Sequence, residues 1–302
     1  MEPLRLATRG SALALWQANH IADLLRPLLV PRTVELVLLQ STGDQVQNEP
    51  LAQLGGQGLF TREIQRAVLD GTADVAVHSL KDLPTMPTPG LALAAVPPRA
   101  PAFDVFLSLH YQWFHELPEG ATVATGSPRR RAQLLHRRPD LRLVEMRGNV
   151  DTRLRKLKEQ GWHGMILAQA GLERLSLAGE IKEVLDPQWM VPAVGQGALG
   201  LECRAEDSDT QQALRLLNHE PSYQAVMAER AFMRALGGGC LQPIAALATV
   251  TDSTIELHGV VLSPDGRDRI AAVHSGSSDH AAQVGASLAN HLLREGADRL
   301  LA

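Results

Sequence analysis

The 302-residue sequence is poor in the features that mark extracellular, membrane or metal-dependent proteins. It has two cysteines, Cys203 and Cys240, and one disulfide would add little to the core that a chain of this length can bury. No apolar run approaches the ~20 residues of a membrane span. The start, Met1-Glu2-Pro3-Leu4-Arg5, lacks a basic segment followed by an apolar one. The expectation is a cytoplasmic, reducing setting without membrane contact. No Cys/His cluster has metal-ligand spacing, and neither a phosphate loop nor a dinucleotide fingerprint occurs, so no metal is expected. Aromatic residues make up 4% and the net charge is −4, which argues against a nucleic-acid partner. Lysine is scarce: 4 of the 29 basic residues, against 25 arginines. Arginine offers a rigid fork of donors that fits a carboxylate or phosphate, where lysine offers a point charge. Arginine-favouring codon usage would account for the bias equally well, so position has to decide.

Hydrophobic residues supply 45% of the chain, enough for two or three domains with separate cores. The first two thirds alternate strand and helix. Leu4–Thr8 reads as a strand, Ser11 as a helix N-cap, and Leu13, Trp16, Ile21, Leu24 and Leu28 as the following helical stripe. Val34–Leu39 is a second strand. Residues 40–58 read as a long glycine-containing loop, of the kind that forms lids. A helix from about Phe60 to Leu69 and a strand over Asp74–His78 follow. Six prolines between Pro84 and Pro101 suggest a boundary near 97–103. The rhythm then restarts with a strand at Thr122–Ala124. Ser127-Pro128 is a helix-start signal, and strands over Leu141–Met146 and Met165–Ala168 flank a helix over Val150–Gln160. Such alternation predicts parallel sheets covered by helices. The last third reads as a separate α+β domain: a helix over Ser222–Leu236, antiparallel strands over 244–274 with a Pro264-Asp265-Gly266 turn, and a closing helix, Ala281–Leu293.

One internal echo stands out. Thr8-Arg9-Gly10-Ser11 and Thr125-Gly126-Ser127 each join a strand to a helix, aiming free backbone N–H groups at whatever sits above the sheet. Arginines gather at such ends: Arg9 at one helix start, Arg129 and Arg130 in the first turn of another, Arg147 after a strand with Arg153 beyond it, and Arg174 past the next strand. Cations are disfavoured in a helix's first turn, so Arg129 and Arg130 point to an anionic ligand with several carboxylates or phosphates. Arg137, Arg138, Arg142 and Arg155 read as a solvated basic face. Asp82, beside Lys81 at a strand's carboxyl end, is the one carboxylate read in this field; it suits holding N–H donors and stabilising a developing cation, although a simple turn aspartate fits the spacing equally well. Cys240, after three glycines, suits covalent attachment or a small buried hydrophobe; Cys203 fits the latter better.

These residues lie in strings that together resemble the porphobilinogen deaminase family: Leu6-Ala7-Thr8-Arg9-Gly10-Ser11, Gly58-Leu59-Phe60, His78-Ser79-Leu80-Lys81-Asp82-Leu83-Pro84, Arg147-Gly148-Asn149-Val150, Pro192-Ala193-Val194-Gly195-Gln196-Gly197-Ala198 and Gly238-Gly239-Cys240. They run in family order over nearly the whole chain. The resemblance implies an α/β fold with two periplasmic-binding-protein-like βα domains around a cleft and a C-terminal α+β domain, at 1–97 with 198–217, 98–197, and 218–302. It implies an enzyme, hydroxymethylbilane synthase, that deaminates porphobilinogen through an azafulvene and joins four units into hydroxymethylbilane. A dipyrromethane cofactor would be bound as a thioether to Cys240. Asp82 would be catalytic. Lys81, Asp44, Thr125, Ser127, Arg129 and Arg130 would bind the cofactor, Arg9, Ser11, Arg147, Arg153 and Arg174 the substrate, and Gln57 and Phe60 would belong to the lid. A monomer is implied, with porphobilinogen as its small-molecule partner.

The chain departs from the family pattern at Thr42, Gln57, Phe103, Gly126 and Leu241, which bears on rate and lid behaviour more than on the reaction. Two alternatives share the arginine pattern: a non-catalytic anion-binding protein of periplasmic type, disfavoured by the missing leader and the glycine-rich cysteine loop, and a degenerate paralogue of the enzyme.

Overall fold

The computed structural model describes residues 2–39, 61–239 and 241–301. The chain divides into two compact units, 1–100 with 198–223, and 101–197 with 224–302.

Unit 1 is built on strands β1 (Leu4–Arg9), β2 (Val34–Leu39), β3 (Val75–Ser79), β4 (Leu91–Ala95) and β10 (Leu199–Arg204), in the order β2-β1-β3-β10-β4. β1, β2 and β3 are parallel, and β10 runs antiparallel to both β3 and β4. The sequence reading missed β4 and β10 and expected parallel sheets; the observed sheet is mixed. Side chains alternate as a pleated strand requires. Leu4, Leu6, Val75 and Val77 share a core with Ile21, Ala22 and Leu25 of helix α1 (Ala12–Leu25), while Ala7 and Ala76 join Ile64, Ala67 and Val68 of helix α2 (Arg62–Leu69). The sheet is thus covered on both faces. At its far end Asp74 accepts from Arg5 and Arg204, tying β1 and β10 to the start of β3.

Unit 2 repeats the plan. Its strands are β5 (Asp104–Leu107), β6 (Thr122–Ala124), β7 (Arg142–Val144), β8 (Gly164–Ala168) and β9 (Glu183–Val184), in the order β7-β6-β8-β5-β9. β6, β7 and β8 are parallel; β5 is antiparallel to β8 and β9. Position for position this matches unit 1, so the Thr8–Ser11 and Thr125–Ser127 echo joins equivalent strands to equivalent helices. Helix α3 (Pro128–Arg137) covers one face through Leu134; α4 (Val150–Gln160) and α5 (Gln169–Arg174) cover the other through Leu157 and Leu172.

Unit 2 also contains the C-terminal α+β part. Another unit 1 helix, α6 (Ser208–Arg215), precedes α7 (Glu220–Ala235), within which the chain passes into unit 2. Strands β11 (Ile244–Thr251), β12 (Thr254–Leu262) and β13 (Arg269–Ser277) form an antiparallel meander. One face packs on Phe232 and Met233 of α7 and on Leu288 and Leu292 of α8 (Ala281–Arg294). A Cβ at Gly285 would lie 2.1 Å from the Ala228 carbonyl, so glycine is what lets α8 approach α7. The opposite face places Ala245, Val260 and Leu262 against Ala132 of α3 and Val191.

Candidate functional site

In unit 1 a group of candidate residues stands at the carboxyl ends of β1 and β3. β1 ends at Arg9, and Ser11 caps α1, its hydroxyl accepting from the Ala14 N–H at 3.3 Å. Thr8 donates to the Ala14 carbonyl, and Gln17 of α1 donates to Ser79 Oγ at 2.7 Å, which fixes the helix start against the end of β3. After β3 the chain makes one tight turn, Leu80–Asp82. The Leu80 N–H donates to the Ala198 carbonyl, and Gly200 leaves room for the Leu80 side chain, which a Cβ would meet at 2.5 Å. The result is an open pocket whose lining includes Arg9, Ser11, Gln17, His78, Ser79 and Asp82. Three sequence candidates, Arg9, Ser11 and Asp82, therefore share one pocket, with Asp82 exposed to it and Lys81 adjacent in the chain. The sequence reading did not single out its floor. There, buried His78 lies with Nε2 3.0 Å from Glu202, which also accepts from Gln65.

In unit 2 the equivalent strand end leads through Thr125 and Gly126 to Ser127, whose hydroxyl accepts from the Arg130 N–H and whose own N–H donates to Thr125 Oγ1. Pro128 stands at the first helical position, as expected. Gly126, a departure from the family pattern, has the Met146 carbonyl 2.4 Å from where a Cβ would sit. The successive arginines point apart. Arg131 is exposed and donates to the Leu143 carbonyl. Arg129 and Arg130 turn inward, 4% and 5% exposed, to Asp104 at the start of β5, which is wholly buried. Arg129 Nη1 lies 2.7 Å from Asp104 Oδ2, and Arg130 reaches Oδ1 through Nε and Nη2 at 3.0 and 2.7 Å. The two guanidiniums hold the Asp104 carboxyl well below the usual carboxylate range, against the opposing effect of its burial.

Arg129 and Arg130 thus have a partner within unit 2, Asp104, a carboxylate that the sequence reading did not single out. A signal was present in the sequence: an aspartate opening an otherwise apolar strand, Asp104-Val105-Phe106-Leu107. A buried charge of that kind calls for a partner.

The remaining arginines lie on neighbouring segments of unit 2. Arg147 is 3.3 Å from Glu145, Arg153 donates to the Gly148 carbonyl at 2.6 Å, and Arg174 donates to the Gly197 carbonyl at 2.6 Å. Burial pushes the Arg174 guanidinium down to about 10, offset in part by Glu173, so it remains a cation at neutral pH. Asp44, Gln57 and Phe60, with Thr42 and the attachment candidate Cys240, lie outside the described residues. Cys203 is buried in the unit 1 core and its thiol is pushed up to about 11 by burial.

Family models sharpen this picture. One described as "Porphobilinogen deaminase, dipyromethane cofactor binding domain" matches residues 4–212, and one described as "Porphobilinogen deaminase, C-terminal domain" matches residues 223–294. The chain belongs to the porphobilinogen deaminase family. Curated porphobilinogen deaminases similar to it include those of Syntrophotalea carbinolica, 47% identical over 299 residues (99% of this chain, 95% of the relative), Nitratidesulfovibrio vulgaris, 47% over 307 residues (100% and 97%), and Chromobacterium violaceum, 45% over 302 residues (100% and 98%). Among solved structures, the methionine-binding protein MetQ aligns at 12% identity with a TM-score of 0.46, covering 75% of this chain and 92% of that one. The family's cofactor carries carboxylates, and the donor set of this chain fits such a group. Asp104 offsets one of the two buried guanidinium charges beside it, and Arg129 Nε meets no hydrogen-bond acceptor among the described residues. Among the described residues no group of His, Cys, Asp and Glu could hold a metal ion, and no helix is long and apolar enough to cross a membrane.

Proposed function

We propose that this chain catalyses the porphobilinogen deaminase (hydroxymethylbilane synthase) reaction of tetrapyrrole biosynthesis, in which four porphobilinogen molecules lose ammonia and are joined head to tail into hydroxymethylbilane. The observation that carries the assignment of roles is the unit 1 pocket, where Asp82 stands with Arg9 and Ser11 at the carboxyl ends of parallel strands, the usual ligand-binding end of an open α/β sheet.

Each pyrrole unit brings two carboxylates. Arg9, Ser11, Arg147, Arg153 and Arg174 bind those of the substrate, and Lys81, Thr125, Ser127, Arg129 and Arg130 those of the cofactor, since Arg can grip a carboxylate with two parallel N–H bonds; Asp44 is a cofactor contact of another kind, since a carboxylate does not bind carboxylates. Cys240 would hold the dipyrromethane, which when bound would supply the free pyrrole carbon for chain growth. Asp82 accepts the pyrrole N–H and stabilises positive charge as the carbon–nitrogen bond breaks and ammonia leaves with its electron pair. The segment containing Gln57 and Phe60 acts as the lid. We further infer three domains, at 1–97 with 198–217, 98–197, and 218–302, supported by the separate core clusters of the three sheets, and a cytoplasmic monomer, since a reducing compartment keeps a cysteine available for thioether formation.

The test uses the purified full-length chain. Its intact mass should exceed that of the sequence by one dipyrromethane, the increment should vanish in Cys240→Ser, and porphobilinogen should be converted to a linear tetrapyrrole. Asp82→Asn should fold, keep the mass increment and lose about 10²–10³-fold in turnover. Near-normal turnover in that variant removes Asp82 from its role. A protein without the increment that binds porphobilinogen and leaves it unchanged is a binding protein instead. Sedimentation equilibrium decides the monomer.

A further inference from the structure

We propose that Asp104 is a positioning residue for this reaction: it sets the guanidiniums of Arg129 and Arg130 to receive a carboxylate of the cofactor and leaves the cluster with one positive charge to offer it. This rests on the reading above that the two arginines bind the cofactor.

The hydrogen bonds gather on one oxygen. Oδ1 accepts from Arg130 Nε and Nη2 and from Gln196 Nε2 at 2.9 Å, while Oδ2 makes an ion pair with Arg129 Nη1 at 2.7 Å and no hydrogen bond among the described residues. Each arginine has a second hold on backbone: Arg129 Nη1 on the Val191 carbonyl at 2.6 Å, Arg130 Nη1 on the Ile166 carbonyl at 3.1 Å. The Arg130 plane is therefore fixed from two sides, and Arg129 is anchored at Nη1. Gln196 adds a further link, donating to the Ala102 carbonyl at 2.7 Å as well as to Asp104. The setting is thereby tied to the two stretches, near 102 and 196, at which the chain enters and leaves the unit 2 sheet.

The charge count explains why one acid stands here. With a neutral residue, two guanidiniums would face each other in a site almost without water, and like charges there repel strongly. With two acids, nothing would remain for an anion. One aspartate against two arginines gives a buried net cation, costly in isolation and favourable once a carboxylate arrives. Arg129 Nε, buried and without an acceptor among the described residues, is a donor still available for it.

Asp104→Asn keeps the shape and the link to Gln196 and removes the charge. The expected result is folded protein whose fraction carrying the dipyrromethane mass increment falls several-fold, and whose loaded fraction shows KM for porphobilinogen raised about tenfold with a smaller change in kcat, the scale of one misplaced charge-assisted hydrogen bond. A lowered melting temperature with loading and KM unchanged marks a structural residue only and overturns the proposal. Arg129→Lys and Arg130→Lys are the parallel arm. If both load fully with normal KM, the assignment of the arginines themselves fails. If they lose loading while Asp104→Asn does not, only the positioning role fails. Should Asp104→Asn not fold, Gln196→Leu removes one hold on Oδ1 without touching charge; reduced loading supports the proposal and full loading with normal KM overturns it.

Discussion

At the residue scale, burial and pairing decide chemistry that composition leaves open. The two cysteines of this chain are equal in sequence and unequal in fold. Cys203 lies in the unit 1 core with its thiol pushed up to about 11. The thiolate is the form that attacks an alkylating agent, so at pH 8 Cys203 should stay unmodified in the native protein and react in the denatured one; labelling followed by peptide mass spectrometry reads this directly. Asp104 shows the converse, a carboxylate kept charged by what surrounds it. Asp104→Ala should cost about 3–5 kcal/mol, because two cations are left buried with one partner removed. Its folded-state proton affinity lies below the unfolded value of about 3.9. The stabilisation is therefore fully present above that pH and is lost as pH falls further. Denaturant titrations at pH 7 and pH 3 should show a larger gap between wild type and Asp104→Ala at pH 7; an equal gap rules out the charge as the source.

At the element scale, local signals were legible where the partner is close in sequence. Ser11 and Ser127 are caps because a hydroxyl three residues before an N–H can reach it within one turn, and both do so. Ser127→Ala should lower stability by about 1 kcal/mol and lessen the amide protection of Arg130, measurable by hydrogen exchange. The buried stripe of α1 was misread. The sequence spacing picked Leu13, Trp16, Ile21, Leu24 and Leu28, but Trp16 and Leu24 are each 37% exposed and Leu28 lies past the helix. The buried face is Gln17, Ala18, Ile21, Ala22 and Leu25. Small residues lie under the helix because they let it sit close to the sheet, a choice that hydrophobicity counts alone do not register. The parallel reading of both sheets failed for a related reason. β5 and β10 are apolar strands like the others, and only the path of the chain between units gives them their antiparallel sense.

For the molecule as a whole, unit 2 couples its two sheets. The C-terminal meander lays Val260 and Leu262 on Ala132 of α3, and the turn at Gly266 reaches the same helix, its carbonyl 2.8 Å from His136 Nδ1. Gly266 has φ +75°, and a Cβ would fall 2.4 Å from the Ala132 carbonyl. The helix that presents Arg129 and Arg130 is thus braced by the part of the chain that leads on from Cys240. Phe232→Ala, at the centre of the C-terminal core, should cost about 3–5 kcal/mol and raise exchange in α3 as well as in β11–β13. Exchange confined to the C-terminal sheet would mean that the two parts of unit 2 open separately.

By itself the sequence determined the strand–helix rhythm, the caps, the α+β ending and, through its motif strings, the family and its cofactor. All of these are written in short spacings or continuous runs. Only the tertiary structure decided that Asp82 shares a pocket with Arg9, that two first-turn arginines answer to an aspartate 25 and 26 positions earlier, and that a glutamine some 90 residues beyond that aspartate completes the cluster. Charge pairing in a dry interior depends on distance in space, to which a linear spacing carries no key.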